Sequence, residues 1–294
     1  MTHLKFVKCI SQKNLRHNNL LLTVWSVYSI ATDELLLACG SSGLRAVSLH
    51  TGELIAHEPT AALRDDVRKM AFDAHTDTLI LFVRAAYGWQ LVSLRRNASQ
   101  WLEVQRLNTS IPDNPNNLFF VDVCGSRVLL GGRGGNTLYV FDVGANHSLR
   151  EAGTVTLALQ TILKGLACTR RDNDTLVAYS HGTSVYLQRL DSLPLRVLPL
   201  ANVNLTYPSE LLFRGELLLV EDWKQAVKKD DIYLFRVTRN ALIEGRVLLD
   251  TQSPVSVAVY DWTFAGDRLV VAEWKEVNRG ALGDVWDLHV YDFV

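Results

Sequence analysis

The chain has 294 residues, 48% hydrophobic and 21% charged, with 30 Lys and Arg against 31 Asp and Glu for a formal charge of -1. That length and apolar content suffice for a sizeable core, and the near-neutral balance offers no field to hold a nucleic-acid backbone or an anionic membrane surface. No segment approaches the roughly 18 unbroken apolar residues of a membrane span and no leader-like apolar run opens the chain, so the expected location is cytoplasmic or nuclear, with no membrane partner and nucleic acid disfavoured.

The first apolar run, HLKFVKCI at residues 3–10, has no companion beside it. From there on one unit recurs: an apolar run, a short turn with Asp, Gly or Thr, a second apolar run, another turn, then a third and a fourth run. The second runs begin at Leu35, Leu79, Val128, Leu176, Leu217 and Leu269, a mean period of about 47 residues, which is that of a four-stranded propeller blade. In chain order the units cover about 22–59, 67–107, 117–156, 163–200, 208–248 and 255–294. The sixth ends with the chain before its fourth strand, and residues 3–10 are the run left to supply it. The predicted fold is therefore all-β. It is a single domain over residues 1–294, a six-bladed β-propeller of four-stranded antiparallel blades, closed by the N-terminal strand completing the last blade. Continuous apolar strands such as ELLLA and RLVVA suit sheets covered on both faces.

Between its second and third runs each unit turns. In the first four the turn is short: CGSSG, RAAYG, GGRGGN and YSHG. The glycines of GGRGGN read as hairpin residues supplying positive φ, because a phosphate loop would lead from a strand into a helix and none follows. Arg133 in that turn and His181 in YSHG stand at turn tips as candidate contact residues. In the fifth and sixth units the turns lengthen to EDWKQAVKKDD and AEWKEVNRGALGD. Both open on an acidic residue, Trp and Lys. That match makes Trp223, Lys224, Lys228 and Lys229 neighbours of Trp274, Lys275 and Arg279, candidate anchors for a protein or peptide partner. The plainer reading is that each Trp plugs its own long loop.

LRAVSLHTGE, residues 44–53, resembles the third strand and following turn of a WD repeat, and LYVFD and LHVYD resemble its ending at Phe141-Asp142 and Tyr291-Asp292. No Gly-His dipeptide precedes the first strands. The resemblance to the WD-repeat-like β-propeller superfamily implies a scaffold for binding other proteins, although a fold does not fix a function.

Catalytic signals are sparse. The first strands of the units carry Ser26, Lys69, Asp122, Glu210 and Asp261 in no repeating register, so no ring of metal ligands is read there. Neither Gly-x-Ser-x-Gly nor His-Glu-x-x-His is present. Cys9, Cys39, Cys124 and Cys168 lie far apart, mostly in apolar runs, and read as buried free thiols. The expectation is a non-enzymatic protein- or peptide-binding scaffold using one loop-rich face, with the substrate-receptor part of a larger adaptor as one context. It carries no catalytic residue, no metal and no cofactor. The alternatives are a six-bladed-propeller hydrolase of lactonase or esterase type and a nucleic-acid-binding propeller.

Overall fold

In a computed structural model the described residues are all except 1–3, 12–15, 18–19, 22–23, 56–64, 87, 99, 112–118, 133–134, 158–162, 172–173, 191–204, 225–228, 238–241, 248–257, 276–284 and 294. Within strands, the side chains of 16–17, 20–21, 171, 224, 229–230, 242–247, 258–260, 274–275, 285–286 and 293 are also outside the description. The regular structure of the described residues is β throughout, and none of their helices is long and apolar enough to cross a membrane.

Strand β1 (Leu4–Ser11) leaves its sequence neighbours unpaired, and β2 (Arg16–His17) with β3 (Leu20–Leu21) forms a small ribbon. Antiparallel meanders follow. The first is β4 (Ser26–Ala31), β5 (Glu34–Ala38) and β6 (Leu44–Ser48); the second is β7 (Asp66–Asp73), β8 (Thr78–Ala85), β9 (Gly88–Asn97) and β10 (Gln100–Asn108). The third is β11 (Phe119–Cys124), β12 (Arg127–Gly132), β13 (Thr137–Val143) and β14 (Leu149–Thr156), and the fourth is β15 (Gly165–Arg171), β16 (Asp174–His181) and β17 (Ser184–Arg189). The fifth is β18 (Pro208–Arg214), β19 (Leu217–Lys224), β20 (Lys229–Val237) and β21 (Leu242–Val247). The last, β22 (Ala258–Ala265), β23 (Arg268–Lys275) and β24 (Val285–Phe293), takes β1 as its outer strand in the order β1-β24-β23-β22. That pairing runs from Leu4 opposite Phe293 to Ser11 opposite Asp287, with a register shift between Phe6 and Lys8. The fourth strand expected in the first meander contributes one bridge, Val47 with Leu54, and the one expected in the fourth, LPLRVLPL, lies outside the described residues.

The chain divides into two compact units, Met1–Met70 with Ile80–Pro112 and Leu249–Val294, and Ala71–Leu79 with Asp113–Leu248. Apolar layers between facing sheets hold each of them. In the first, Val27, Leu35, Leu37 and Val47 meet Val270, Ala272, Leu288, Val290 and Ile10 of the last sheet. In the second, one layer joins Phe120, Leu129 and Val140 to Leu166, Val177 and Tyr179, and another joins Ala178, Val185 and Leu187 to Leu218, Val220 and Phe235. Leu35, Leu36 and Leu37 are all fully buried although alternate residues of a strand face opposite ways, which explains the unbroken apolar run of a middle strand.

Two readings of local chemistry change. In GGRGGN, Gly131 and Gly132 are the last residues of β12 and lie outside the positive-φ set, Arg133 and Gly134 lie outside the described residues, and the equivalent turns of the first and fourth units carry positive-φ glycines at Gly43 and Gly182 (φ +72° and +61°). Gly131 is small because a Cβ there would meet Leu163 at 2.7 Å. The cysteines are not four buried thiols. Cys124 and Cys168 form a disulfide between β11 and β15 (Cα–Cα 5.7 Å), Cys39 is buried and Cys9 is exposed. Burial pushes the Cys39 thiol up to about 12 against the opposing charge of Arg45, which keeps it protonated and unreactive. Ellman's reagent is therefore expected to detect one thiol in the native protein, Cys9, a second on denaturation without reductant, and all four after reduction. Two thiols reacting natively would contradict the burial of Cys39.

Candidate functional site

The residues singled out on the long hairpins of the fifth and sixth units are largely strand residues. β19 and β20 continue their ladder through Asp222 opposite Asp231, Trp223 opposite Asp230 and Lys224 opposite Lys229. The excess length of EDWKQAVKKDD thus goes mostly into sheet rather than a protruding loop. Glu221 and Asp222 are buried, and Trp223 is half-buried with its N–H donated to the Tyr207 carbonyl. Likewise Trp274 pairs with Trp286 and Lys275 with Val285. Lys228, Arg279 and Arg133 lie outside the described residues. His181, half-buried at the end of β16, pairs with Ser184 and has its ring 6.2 Å from that of Tyr186.

The polar groups of the first strands are occupied in joining sheets. Asp261 Oδ2 accepts the Val27 N–H at 2.8 Å while its Oδ1 is 3.2 Å from Lys69 Nζ, and Thr263 Oγ1 accepts the Ser29 N–H. In the other unit Asp122 Oδ2 accepts the Cys168 N–H at 2.6 Å across the third and fourth sheets, whereas Glu221 Oε2 of β19 accepts from Ser209 Oγ and the Glu210 N–H of β18 within the fifth sheet. A charged acceptor on a neighbouring strand's N–H makes a strong, directional latch.

Among the described residues, the densest reactive grouping lies where β1 meets β24. Cys9 of β1 stands opposite His289 of β24, and Ser11 opposite Asp287. On the other side of β24, Val271 and Glu273 of β23 stand opposite His289 and Asp287. Asp287, His289 and Tyr291 alternate with Leu288 and Val290, so the apolar pair enters the core layer while the polar residues share the opposite face. That face is buried at Glu273, Asp287, His289 and Tyr291. His289 Nδ1 is 3.1 Å from Glu273 Oε1, to which Tyr291 Oη donates at 3.2 Å. The ring of Phe6 lies edge-on to both His289 and Tyr291, at 5.9 and 5.8 Å. Two buried atoms, His289 Nε2 and Glu273 Oε2, have no hydrogen-bond partner among the described residues.

Burial by itself pulls the His289 pKa down, but its interactions with the Cys9 thiol and the Glu273 carboxylate outweigh that and lift it to about 9. Burial, then the charge and hydrogen bond of Glu273, push the Tyr291 phenol far above its ordinary range. Displaced titrations in one small cluster are a recurrent property of functional sites. The sequence reading missed this cluster because Cys9 and His289 stand at opposite ends of the chain. The available signal was the alternation in WDLHVYD, where a strand expected to be covered on both faces carries Asp, His and Tyr along one of them.

No family model and no curated protein matches the chain. Solved structures do. It is similar, over 99% of its own length and 98% of the other's, to the PQQ-bound form of an aldose sugar dehydrogenase from Streptomyces coelicolor, with a TM-score of 0.58 and 11% identity. U3-55K matches with a TM-score of 0.55 and 12% identity over 95% of this chain and 97% of that one. A luciferin-regenerating enzyme matches at 0.56 and 13% over 92% of each. At these identities the likeness shows the fold, and the fold is a β-propeller. The expectation of a non-enzymatic binding scaffold is corrected here: end-to-end matches of the same fold include a dehydrogenase and a luciferin-regenerating enzyme, and the fifth-unit hairpin offered as a protruding anchor is mainly sheet.

Proposed function

We propose that the sheets close into one six-bladed ring spanning residues 1–294, with β1 completing the last blade, and that this propeller is a hydrolase acting on esters or lactones at the cluster where the chain ends meet. The position of β1 in the last sheet and the end-to-end matches to propeller enzymes support this reading. The observation that carries it is His289, whose ring is pinned through Nδ1 by Glu273 while Nε2 has no hydrogen-bond partner among the described residues, beside the exposed Cys9.

A positive group fixed in that way suits a carbonyl oxygen that gains negative charge as water adds to the acyl carbon. The carbon–oxygen bond to the leaving group then breaks, and the proton from the water ends on the leaving oxygen. Glu273 and Tyr291 hold the imidazole so that no reorganisation is needed as charge develops. Cys9 gives the cluster its solvent-facing side.

Purified protein incubated with a panel of aryl esters and of five- and six-membered lactones is expected to turn over at least one of them above the buffer rate. Glu273→Gln, which keeps the shape but removes the charge behind the ring, should lower kcat/KM roughly 10- to 100-fold. Buffer rates across the whole panel would end the hydrolase reading.

A further inference from the structure

We infer that Cys9, Asp287 and His289 form a binding site for a divalent transition metal of the zinc class, which clips the N-terminal strand to the C-terminal one. The inference deepens the hydrolase reading and rests on it for its catalytic consequence, though metal uptake itself does not need it.

The Cys9 sulfur, a carboxylate oxygen of Asp287 and a ring nitrogen of His289 lie within 4.8 Å of one another. A tetrahedral zinc site, with bonds of about 2.0 to 2.3 Å, sets its ligand atoms about 3.6 Å apart. The cluster needs to close by about 1 Å to reach that spacing, and rotation of the exposed Cys9 side chain is the least costly way to do it. The donor set of one sulfur, one nitrogen and one oxygen suits zinc and its neighbours in the first transition row, and is too soft for calcium or magnesium.

The surroundings fit a metal as well as the ligands do. A metal-bound histidine characteristically has its other nitrogen held by a carboxylate, which fixes ring and tautomer. Glu273 Oε1 holds Nδ1 at 3.1 Å, and the remaining nitrogen, Nε2, is buried without a hydrogen-bond partner among the described residues. His289 and Asp287 are 6% and 7% exposed, whereas Cys9 faces solvent, so an ion has a path in. Three protein ligands leave a fourth tetrahedral position, as in catalytic zinc sites. Bound there, the ion would take the place of the Nε2 proton as the positive charge facing the carbonyl oxygen, and water in the fourth position would be the one that adds to the acyl carbon. The other cysteines do not compete, since Cys39 is buried in a core layer and Cys124 and Cys168 are bonded to each other.

The test is titration of the full-length protein, stripped with a chelator and dialysed, with Co²⁺ as the spectroscopic probe. One equivalent should bind, with a near-ultraviolet sulfur-to-cobalt charge-transfer band and the intense visible bands of four-coordinate cobalt, and Zn²⁺ should displace it. Cys9→Ser should abolish the charge-transfer band and Cys39→Ser should leave it intact. Asp287→Asn should weaken binding at least ~10-fold. Because Cys9 is exposed, Cys9→Ser is not expected to unfold the chain, and circular dichroism with and without metal checks this. No uptake of Co²⁺ or Zn²⁺ by the unmodified protein, or a charge-transfer band that survives Cys9→Ser, would overturn the site. Metal uptake without ester or lactone cleavage would leave the clip standing and remove the hydrolase reading. Cleavage that persists in metal-free protein unable to bind Co²⁺ would do the reverse.

Discussion

Deleting residues 1–10 is expected to lower the stability of the protein by about 3 to 6 kcal/mol, before the lost ladder hydrogen bonds are counted. The estimate follows from burial. Along β1 only Leu4 and Ile10 are buried, whereas Phe6 is 55% and Val7 is 41% exposed, so two side chains carry the apolar contribution and not the four that the apolar run suggests. Ile10 belongs to the layer formed with Val24, Leu49 and Leu288, and its side chain lies against Gly52. Removal of β1 also leaves β24 as an open edge, an invitation to aggregation. Against a total stability of 5 to 15 kcal/mol, the urea midpoint and the soluble yield should both fall clearly. An unchanged midpoint would mean that β1 does not form part of the last sheet. Val7→Ala, on the exposed side of the strand, should cost far less than Ile10→Ala.

The second large effect belongs to the disulfide. Cys124 and Cys168 close a loop with a sequence separation of 44, which in the chain-entropy treatment stabilises the fold by about 4 kcal/mol. Both cysteines are buried in the layer between the third and fourth sheets, so alanine is the appropriate replacement. The double variant Cys124→Ala, Cys168→Ala should unfold at clearly lower denaturant than the parent, and reductant should leave the variant's midpoint unchanged while lowering that of the parent. Equal midpoints for parent and variant would show that the bond does not constrain the chain.

The architecture was readable because its signal is periodic. Middle strands covered on both faces are continuous apolar runs, turns between them carry Gly and Asp, and the recurrence of that pattern predicts stacked meanders without any single motif being strong. Pairwise features are different, since periodicity does not say which residues face each other across sheets. Cys124 ends the first strand of one meander and Cys168 lies inside the first strand of the next; only the stacking of those sheets brings them together. The hairpin at Trp223 reads as longer than it is for a related reason. A polar stretch between two strands reads as loop, yet Asp222 is fully buried and accepts the N–H groups of Thr206 and Tyr207 at 2.8 and 2.6 Å, which lets the ladder continue through it. The cluster around His289 was hidden in the same way, because two of its five residues become neighbours of the other three only through strand pairing. Once β1 lies on β24 and β24 on β23, the alternation in the last strand decides which side chains meet.

That the pairing of the chain ends builds a working site centred on His289 is tested most directly by one rate comparison. The substrate turned over fastest by the parent protein is given to His289→Gln, with folding of both confirmed by circular dichroism and by equal denaturant midpoints. Loss of the pinned imidazole should lower kcat/KM at least ~100-fold. A folded His289→Gln protein that cleaves the substrate at the parental rate would contradict the account and place the chemistry elsewhere in the molecule.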